Sequence, residues 1–170
     1  MTHIPSSLWP IVRRVLEAPT YLYDLHAGWL LGRRFLRLTH LGRRSGRRYR
    51  TMLEVIGEDR ASDEVLVVAG LGRAAQWLRN VQAGNAVEVA IGRQRFTPLH
   101  RMVPLEEASE ALARYEERNR WLAPIVRWVL SRLVGWRYDG SRQARLRLVS
   151  ELPVVAFRPD RSAPRCCAPE

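Results

Sequence analysis

An arginine-rich segment at residues 42–50 carries the clearest chemistry in this sequence. It reads Gly-Arg-Arg-Ser-Gly-Arg-Arg-Tyr-Arg, so five arginines fall within nine residues. The glycines allow the backbone to present N–H groups to an anion, and arginine forms forked contacts with phosphate and carboxylate. Ser45 adds a hydroxyl donor. The segment predicts a phosphate-binding turn, although a solvated basic hairpin or a nucleic-acid contact would use the same residues.

A second candidate site lies at residues 69–80, where an apolar strand runs into glycines and then into a helix. Ala69, Gly70 and Gly72 would let the backbone approach a ligand, with helix N–H groups pointing at it. The spacing lacks the third glycine of a dinucleotide-binding fingerprint and the lysine of a P-loop. Residues 69–80 therefore predict ligand contact without specifying the ligand.

A third group is aromatic, and we expect most of it to lie in the core: Tyr115, Trp121, Trp128, Trp136 and Tyr138. Tyr138 precedes Asp139-Gly140 in a predicted loop, where it is either a proton donor to a substrate or an ordinary packing residue. The four histidines lack metal-ligand spacing, so no metal site is predicted.

The elements that must position these residues follow from hydrophobic periodicity. Period-2 alternation and apolar runs predict about six strands, at 35–41, 48–56, 65–69, 87–91, 95–103 and 153–157. Helical spacing predicts a helical extension over 1–34 and helices at 74–83, from Pro104 onward, at 121–134 and at 141–149. A polar loop is expected from Gly57. Short turns between successive strands favour antiparallel pairing, so the prediction is an α+β fold with a small, partly closed barrel.

The composition bounds the class of protein. The chain has 170 residues, a net charge of +11 and 28 basic residues, all arginine. This bias reflects either anion binding or the codon usage of a GC-rich genome. A hydrophobic content of 46% excludes a disordered chain, and no apolar stretch reaches the ~18 residues of a membrane span. With no signal-peptide pattern and only Cys166 and Cys167 in the tail, a cytoplasmic location is expected.

The motifs together resemble the deazaflavin-dependent nitroreductases. The stretch 38–46, Leu-Thr-His-Leu-Gly-Arg-Arg-Ser-Gly, is similar to that family's L-T-x-x-G-R-[KR]-[ST]-G segment. The strand at 65–69, the Trp-Leu-Arg-Asn run at 77–80, the Asn85–Gly92 segment and the closing strand from Leu152 match in the same order. The resemblance covers about residues 35 to 158 and implies a split β-barrel, related to flavin-mononucleotide-binding barrels, that uses coenzyme F420. That coenzyme is a hydride carrier with a phosphate and a polyglutamate tail.

The resemblance also implies roles for individual residues. Arg43, Arg44, Ser45 and Gly46 would hold the phosphate and acidic tail. Around the ring, the pocket would be lined by Thr51, Met52 and Leu53, approached by the backbone of Ala69, Gly70 and Gly72, and completed by Trp77 and Asn80. The sequence departs from the family in having Met52 where a proline is common and in lacking a Ser-Lys pair near Gly70.

These observations support three hypotheses about function. The first is an F420-dependent reductase of a quinone, a nitro compound or another electron-poor acceptor. The second keeps the barrel but binds flavin mononucleotide, haem or a lipid, and the third is a basic nucleic-acid-binding module, against which the lack of exposed aromatic platforms argues. Residues 1–34 are expected to pack on a barrel domain at 35–159, followed by a disordered tail at 160–170. A homodimer and a peripheral membrane contact through the N-terminal helices are further expectations.

Overall fold

A computed structural model describes residues 33–59 and 61–162. The predicted N-terminal extension therefore lies outside the described residues except for Arg33 and Arg34, and so does the predicted tail except for residues 160–162. Within the described part of the chain, no helix combines the length and the apolar content needed to cross a bilayer.

Seven strands and four α-helices make up these described residues. The strands are β1 (Phe35–Leu41), β2 (Arg48–Asp59), β3 (Glu64–Val68), β4 (Ala86–Ile91), β5 (Gln94–Phe96), β6 (Pro98–Met102) and β7 (Val154–Pro159). The helices are α1 (Gln76–Gln82), α2 (Leu105–Arg118), α3 (Ala123–Val134) and α4 (Arg142–Glu151). Short 3-10 turns at Gly72–Ala74 and Arg120–Leu122 precede α1 and α3.

The sheet curls into a nearly closed barrel. Its strand order is β5-β4-β1-β2-β3-β7-β6, and every recorded neighbouring pair is antiparallel. The first and last strands of this order, β5 and β6, are separated in the chain by Thr97 alone, so the two edges of the sheet must meet. The prediction of an α+β split barrel is confirmed.

Two hydrophobic clusters lie on opposite faces of β3 and β7, because successive side chains of a strand alternate between faces. Val65, Val67 and Phe157 belong to the cluster inside the barrel, to which α1 contributes Leu78 and other side chains. Leu66 and its neighbours across the sheet belong to the outer cluster, which α2 and α4 cover. Both faces are therefore buried, which accounts for the unbroken apolar runs of these strands.

Two predicted boundaries are wrong. Residues 95–103 form two strands rather than one, because β5 pairs with β4 whereas β6 pairs with β7. Gly57 does not begin a loop: β2 continues to Asp59 through a register shift between Val55 and Gly57, and Gly57–Asp59 pair with β3. The Asp59 carboxylate then accepts hydrogen bonds from the Ala61 N–H and the Ser62 hydroxyl, which forms the turn.

The prediction for the aromatic group is partly wrong. Tyr115 and Tyr138 are buried, but Trp121 and Trp128 are 74% and 56% exposed. Helix α3 packs on the outer cluster through Leu130, Leu133 and Val134 instead, and it ends, as expected, at Gly135, whose φ is +76°.

Candidate active site: an arginine hairpin anchored to helix α1

The loop between β1 and β2 is a tight turn that glycine permits. The Gly42 N–H donates to the Arg47 carbonyl at 2.8 Å, and the Gly46 N–H donates to the Gly42 carbonyl at 2.8 Å. A Cβ on Gly42 would lie 2.9 Å from the ring of Tyr49, so a larger residue there would displace this side chain. Gly46 has a φ of +63°, which favours glycine. We call residues 42–48 the arginine hairpin. The loop that sequence predicted between these strands is confirmed.

The charges of the arginine hairpin are exposed, and no described carboxylate neutralises them. Arg43, Arg44, Arg47 and Arg48 are exposed, and within the described residues none of them forms an ion pair. Arginines elsewhere commonly do, as when Arg101 contacts Glu64 at 2.6 Å. A cluster of uncompensated guanidinium groups favours an anionic ligand.

Arg43 is the member of the arginine hairpin that the fold holds in place. Its Nη1 donates to Gln76 Oε1 at 2.9 Å and to Asn80 Oδ1 at 3.1 Å. Its backbone N–H donates to the same Asn80 oxygen at 3.2 Å. Both partners are neutral amides of α1, so they fix the orientation of the guanidinium without cancelling its charge.

Asn80 connects Arg43 to a buried histidine that sequence reasoning did not select. Because Asn80 Oδ1 accepts from Arg43, its Nδ2 faces His40 Nδ1, at 3.0 Å. The histidine nitrogen must therefore accept, which places the ring proton on Nε2, 3.2 Å from Thr51 Oγ1. This assignment follows from the hydrogen-bond network. His40 stacks on Tyr49 with centroids 5.8 Å apart.

The environment of His40 favours its neutral form. The residue is 3% exposed, and desolvation by burial lowers the pKa of its imidazole below the ordinary value, against a smaller raising effect of a backbone hydrogen bond at Leu41. The available signal in the sequence was a histidine one residue before the end of a strand that leads into the arginine cluster. Its partners lie 11 and 40 positions away, and no local pattern reveals them.

The glycine-containing segment after β3 is held beside α4. The Ala69 N–H donates to the Pro153 carbonyl at 2.9 Å. Gly72 has a φ of +61°, and a Cβ there would lie 2.9 Å from the Glu151 carbonyl oxygen. No described residue lies within 4 Å of a Cβ built on Gly70, which leaves room for a ligand to approach its backbone. Helix α1, which has seven residues, contacts the arginine hairpin through the side chains of Gln76 and Asn80.

The remaining predicted site residues divide by burial. Thr51 and Met52 are half-buried, and Thr51 joins the network described above. Leu53 and Trp77 are buried in the cluster inside the barrel, where Trp77 contacts Phe157 with centroids 6.5 Å apart. Leu53 and Trp77 therefore pack in the barrel interior.

Tyr138 is not brought together with the arginine hairpin by any described contact. Its hydroxyl donates to Glu116 Oε1 at 2.6 Å, and its backbone N–H donates to Ser131 Oγ at 2.8 Å. Desolvation, and then the hydrogen bond to Glu116, raise the pKa of this phenol well above its usual range. These contacts favour a packing role, and the assignment of Tyr138 as a proton donor stays a prediction. In residues 33–59 and 61–162, no group of three or more metal-ligating side chains occurs.

The described residues form a split β-barrel, and the arginine hairpin between its first two strands has no carboxylate partner among them, which is a surface that favours an anionic ligand. The model of the F420H(2)-dependent quinone reductase family matches residues 20–125, more than half of the sequence, and the chain belongs to that family. It is therefore an F420-dependent reductase whose cofactor is coenzyme F420.

Similar solved structures have low sequence identity to this chain. A structure described as an F420-H2 dependent reductase (FDR-A) is 20% identical, covers 75% of this chain and 96% of its own, and has a TM-score of 0.40. One described as a domain-swapped dimer is 21% identical over 89% and 96%, with a TM-score of 0.43. An FMN-binding, pyridoxamine 5'-phosphate oxidase-related protein from Nostoc punctiforme is 13% identical over 84% and 80%, with a TM-score of 0.41. No curated protein matches the sequence.

Proposed function

We propose that this protein transfers a hydride from reduced F420 to a small electron-poor acceptor, such as a quinone or a nitro compound. Membership of the F420H(2)-dependent quinone reductase family supports the proposal. The observation that carries it is the arginine hairpin, whose exposed guanidinium groups have no carboxylate partner among the described residues. An acidic ligand supplies the charge that this segment lacks.

The residues present fit the anionic part of the coenzyme. Arg43 is oriented by two neutral amides, while Arg44 is exposed and able to adjust to the ligand. The Ser45 hydroxyl adds a donor beside these charges, and Gly46, whose N–H already donates to the Gly42 carbonyl, maintains the turn that presents them. We propose that these four residues form the binding site for the phosphate and the acidic tail, with Arg43, Arg44 and Ser45 supplying the hydrogen bonds.

Residues next to the arginine hairpin are proposed to orient the ring system. Thr51 and Met52 extend along β2 from the hairpin, and the open backbone at Gly70 allows close approach. Five other residues are proposed to form the protein wall behind these positions and to exclude water from the ring pocket. They are Leu53, Ala69, Gly72, Trp77 and Asn80. The bound coenzyme supplies the hydride, and the protein supplies binding, orientation and a dry surface.

The proposal is tested by titrating the purified protein with oxidised F420 and following ligand fluorescence, with flavin mononucleotide in parallel. Hydrogen bonds to charged groups contribute about 1.5–3 kcal/mol each, so Arg43→Ala with Arg44→Ala should weaken F420 binding by at least about tenfold. A matched control removes two exposed arginines of the β4–β5 hairpin, Arg93 in its turn and Arg95 in β5. This variant, Arg93→Ala with Arg95→Ala, should bind F420 like the parent.

The results of these titrations separate the hypotheses about the ligand. Equal loss of affinity in both double variants would show a general charge effect and remove the hairpin assignment. Saturable binding of flavin mononucleotide alone would keep the barrel and replace the coenzyme. If F420 binds, steady-state reduction of a series of quinones and nitro compounds identifies the acceptor.

The predicted homodimer, the cytoplasmic location and the membrane contact of the N-terminal helices rest on the sequence and stay predictions. Light scattering on the purified protein measures the oligomeric state. Fractionation of cells that express the protein measures its location and its association with membranes.

A further inference from the structure

Helix α3 presents an apolar face that no described part of the protein covers. Trp121, Ile125, Trp128 and Val129 are 74%, 60%, 56% and 47% exposed. Their spacing of i, i+4, i+7 and i+8 places them along one side of the helix and of the turn that precedes it. Contiguous exposed apolar surface of this kind marks an interaction site.

The opposite side of α3 fixes its orientation. Leu130, Leu133 and Val134 pack against the outer cluster formed with α2 and α4. The helix is therefore attached to the domain through its C-terminal half, and its exposed apolar side chains lie on a different side from these contacts. We call this face, made by Trp121, Ile125, Trp128, Val129 and Arg132, the tryptophan face.

The segment that carries the tryptophan face is basic. From Arg118 to Tyr138 the sequence contains five arginines and no carboxylate. Arg132 is exposed within the face, and its guanidinium lies 5.5 Å from the centroid of the Trp128 ring. Arg120 is only weakly paired, 3.9 Å from the exposed Glu117 of the preceding helix. An occupant that is apolar in the middle and negative at its border complements this surface.

We propose that the tryptophan face docks on the surface of a bilayer that contains anionic phospholipid. Tryptophan side chains favour the boundary between acyl chains and headgroups, and an interfacial helix combines such an apolar face with arginines that reach the phosphates. A second copy of this chain would bring like charges together across a symmetric contact. Nucleic acid would leave Ile125 and Val129 without a complementary partner, since stacking on bases requires aromatic rings.

This inference concerns a surface other than the arginine hairpin and other than the N-terminal segment. It does not depend on which acceptor the enzyme reduces. The helix is expected to lie in the interface, parallel to the plane of the membrane.

The test is co-sedimentation of the full chain with vesicles of phosphatidylcholine alone and of phosphatidylcholine with phosphatidylglycerol. We expect binding to the anionic vesicles and at least about tenfold weaker partitioning for Trp121→Ala with Trp128→Ala, because both rings leave the interface. A control, Leu99→Ala with Leu105→Ala, removes two exposed leucines elsewhere and should partition like the parent. Circular dichroism and F420 binding verify that each variant is folded.

A second measurement does not rely on loss of binding. Brominated lipid should quench the tryptophan emission of the parent protein more strongly than that of Trp121→Phe with Trp128→Phe, because this variant lacks both rings of the tryptophan face. In the absence of vesicles, acrylamide should reach the tryptophans of the parent more readily than those of the same variant.

Several results would overturn the proposal. Failure of the parent to bind anionic vesicles at low salt, or equal binding by the tryptophan variants, would exclude this face as the membrane contact. Protection from acrylamide without lipid would show that another part of the chain or a second copy covers it, and light scattering separates these two cases. If the parent binds single-stranded DNA but no vesicles, and the tryptophan variants lose the DNA binding, the face would be assigned to nucleic acid.

Discussion

Replacement of Asn80 by alanine should damage both the stability of the barrel and the affinity for F420. The side chain is 4% exposed, and its removal deletes the hydrogen bonds to the backbone and guanidinium of Arg43 and to His40. The Nδ1 atom of His40 is then a buried acceptor without a donor, which costs about 1–3 kcal/mol. With the loss of packing in the space that the amide vacates, we expect a decrease of about 2–4 kcal/mol in the free energy of unfolding.

The control for this variant is Gln76→Ala, since Gln76 accepts a hydrogen bond from the same Arg43 nitrogen but is exposed. Its loss should cost less than about 0.5 kcal/mol. Urea denaturation gives the free energies, and for a chain of this length the midpoint of thermal unfolding should fall by roughly 5–15 °C in Asn80→Ala. We further expect F420 to bind about tenfold more weakly to Asn80→Ala, as the loss of about one charge-assisted hydrogen bond implies.

The comparison is decisive because both variants weaken the hold on Arg43 and only one disturbs the buried network. If Asn80→Ala is no less stable than Gln76→Ala, the network contributes nothing to the fold. If its stability falls while F420 affinity is unchanged, Asn80 supports the barrel without orienting Arg43 for the ligand.

The remaining predictions concern pH, backbone conformation and Tyr138. Burial lowers the pKa of His40 in the folded state, so as the pH falls the unfolded chain takes up a proton on this histidine before the folded protein does. The stability that the neutral, buried imidazole allows is therefore fully present above about pH 6.5 and is lost as the pH falls below that value. His40→Gln should flatten urea stability between acidic and neutral pH, and His100, whose pKa burial also lowers, contributes a separate part that His100→Gln removes; an unchanged slope in His40→Gln would contradict the assignment. Gly72→Ala should lower the thermal midpoint more than Gly84→Ala, because both have positive φ but only Gly72 lacks space for a Cβ; equal losses would show that the loop relaxes. Tyr138→Phe should cost about 1 kcal/mol of stability with F420-dependent turnover unchanged, and a large loss of kcat at unchanged stability would instead establish the proton donor.

The sequence predicts the parts of this protein that local patterns determine. Alternation on both sides of the glycine-rich turn fixes the β1–β2 hairpin and, with it, the position of the arginines. Helix α2 follows Pro104 with Glu106 and Glu107 in its first turn, where carboxylates favour a helix. The roles of these residues in ligand binding are still predictions.

Other features depend on contacts between distant segments, which local patterns do not contain. The residues on both sides of Thr97 are extended, and only their different partners, β4 and β7, divide them into two strands. Helix α3 is apolar on both sides, so its periodicity cannot identify the packed one. The His40–Asn80 contact joins β1 to α1 across 40 positions, and a strand pattern gives no reason to expect it.

The last strand has a consequence for the synthesis of this protein. Strand β7 lies between β3 and β6 in the sheet, although it follows both of them in the chain. A nascent chain that has not yet reached Val154 therefore exposes the hydrogen-bonding edges of β3 and β6, together with the apolar residues that β7 will cover. The barrel cannot close during translation until its C-terminal strand leaves the ribosome, and folding must wait for this long-range pairing. A ribosome that stalls before residue 154 presents the cell with an unpaired sheet.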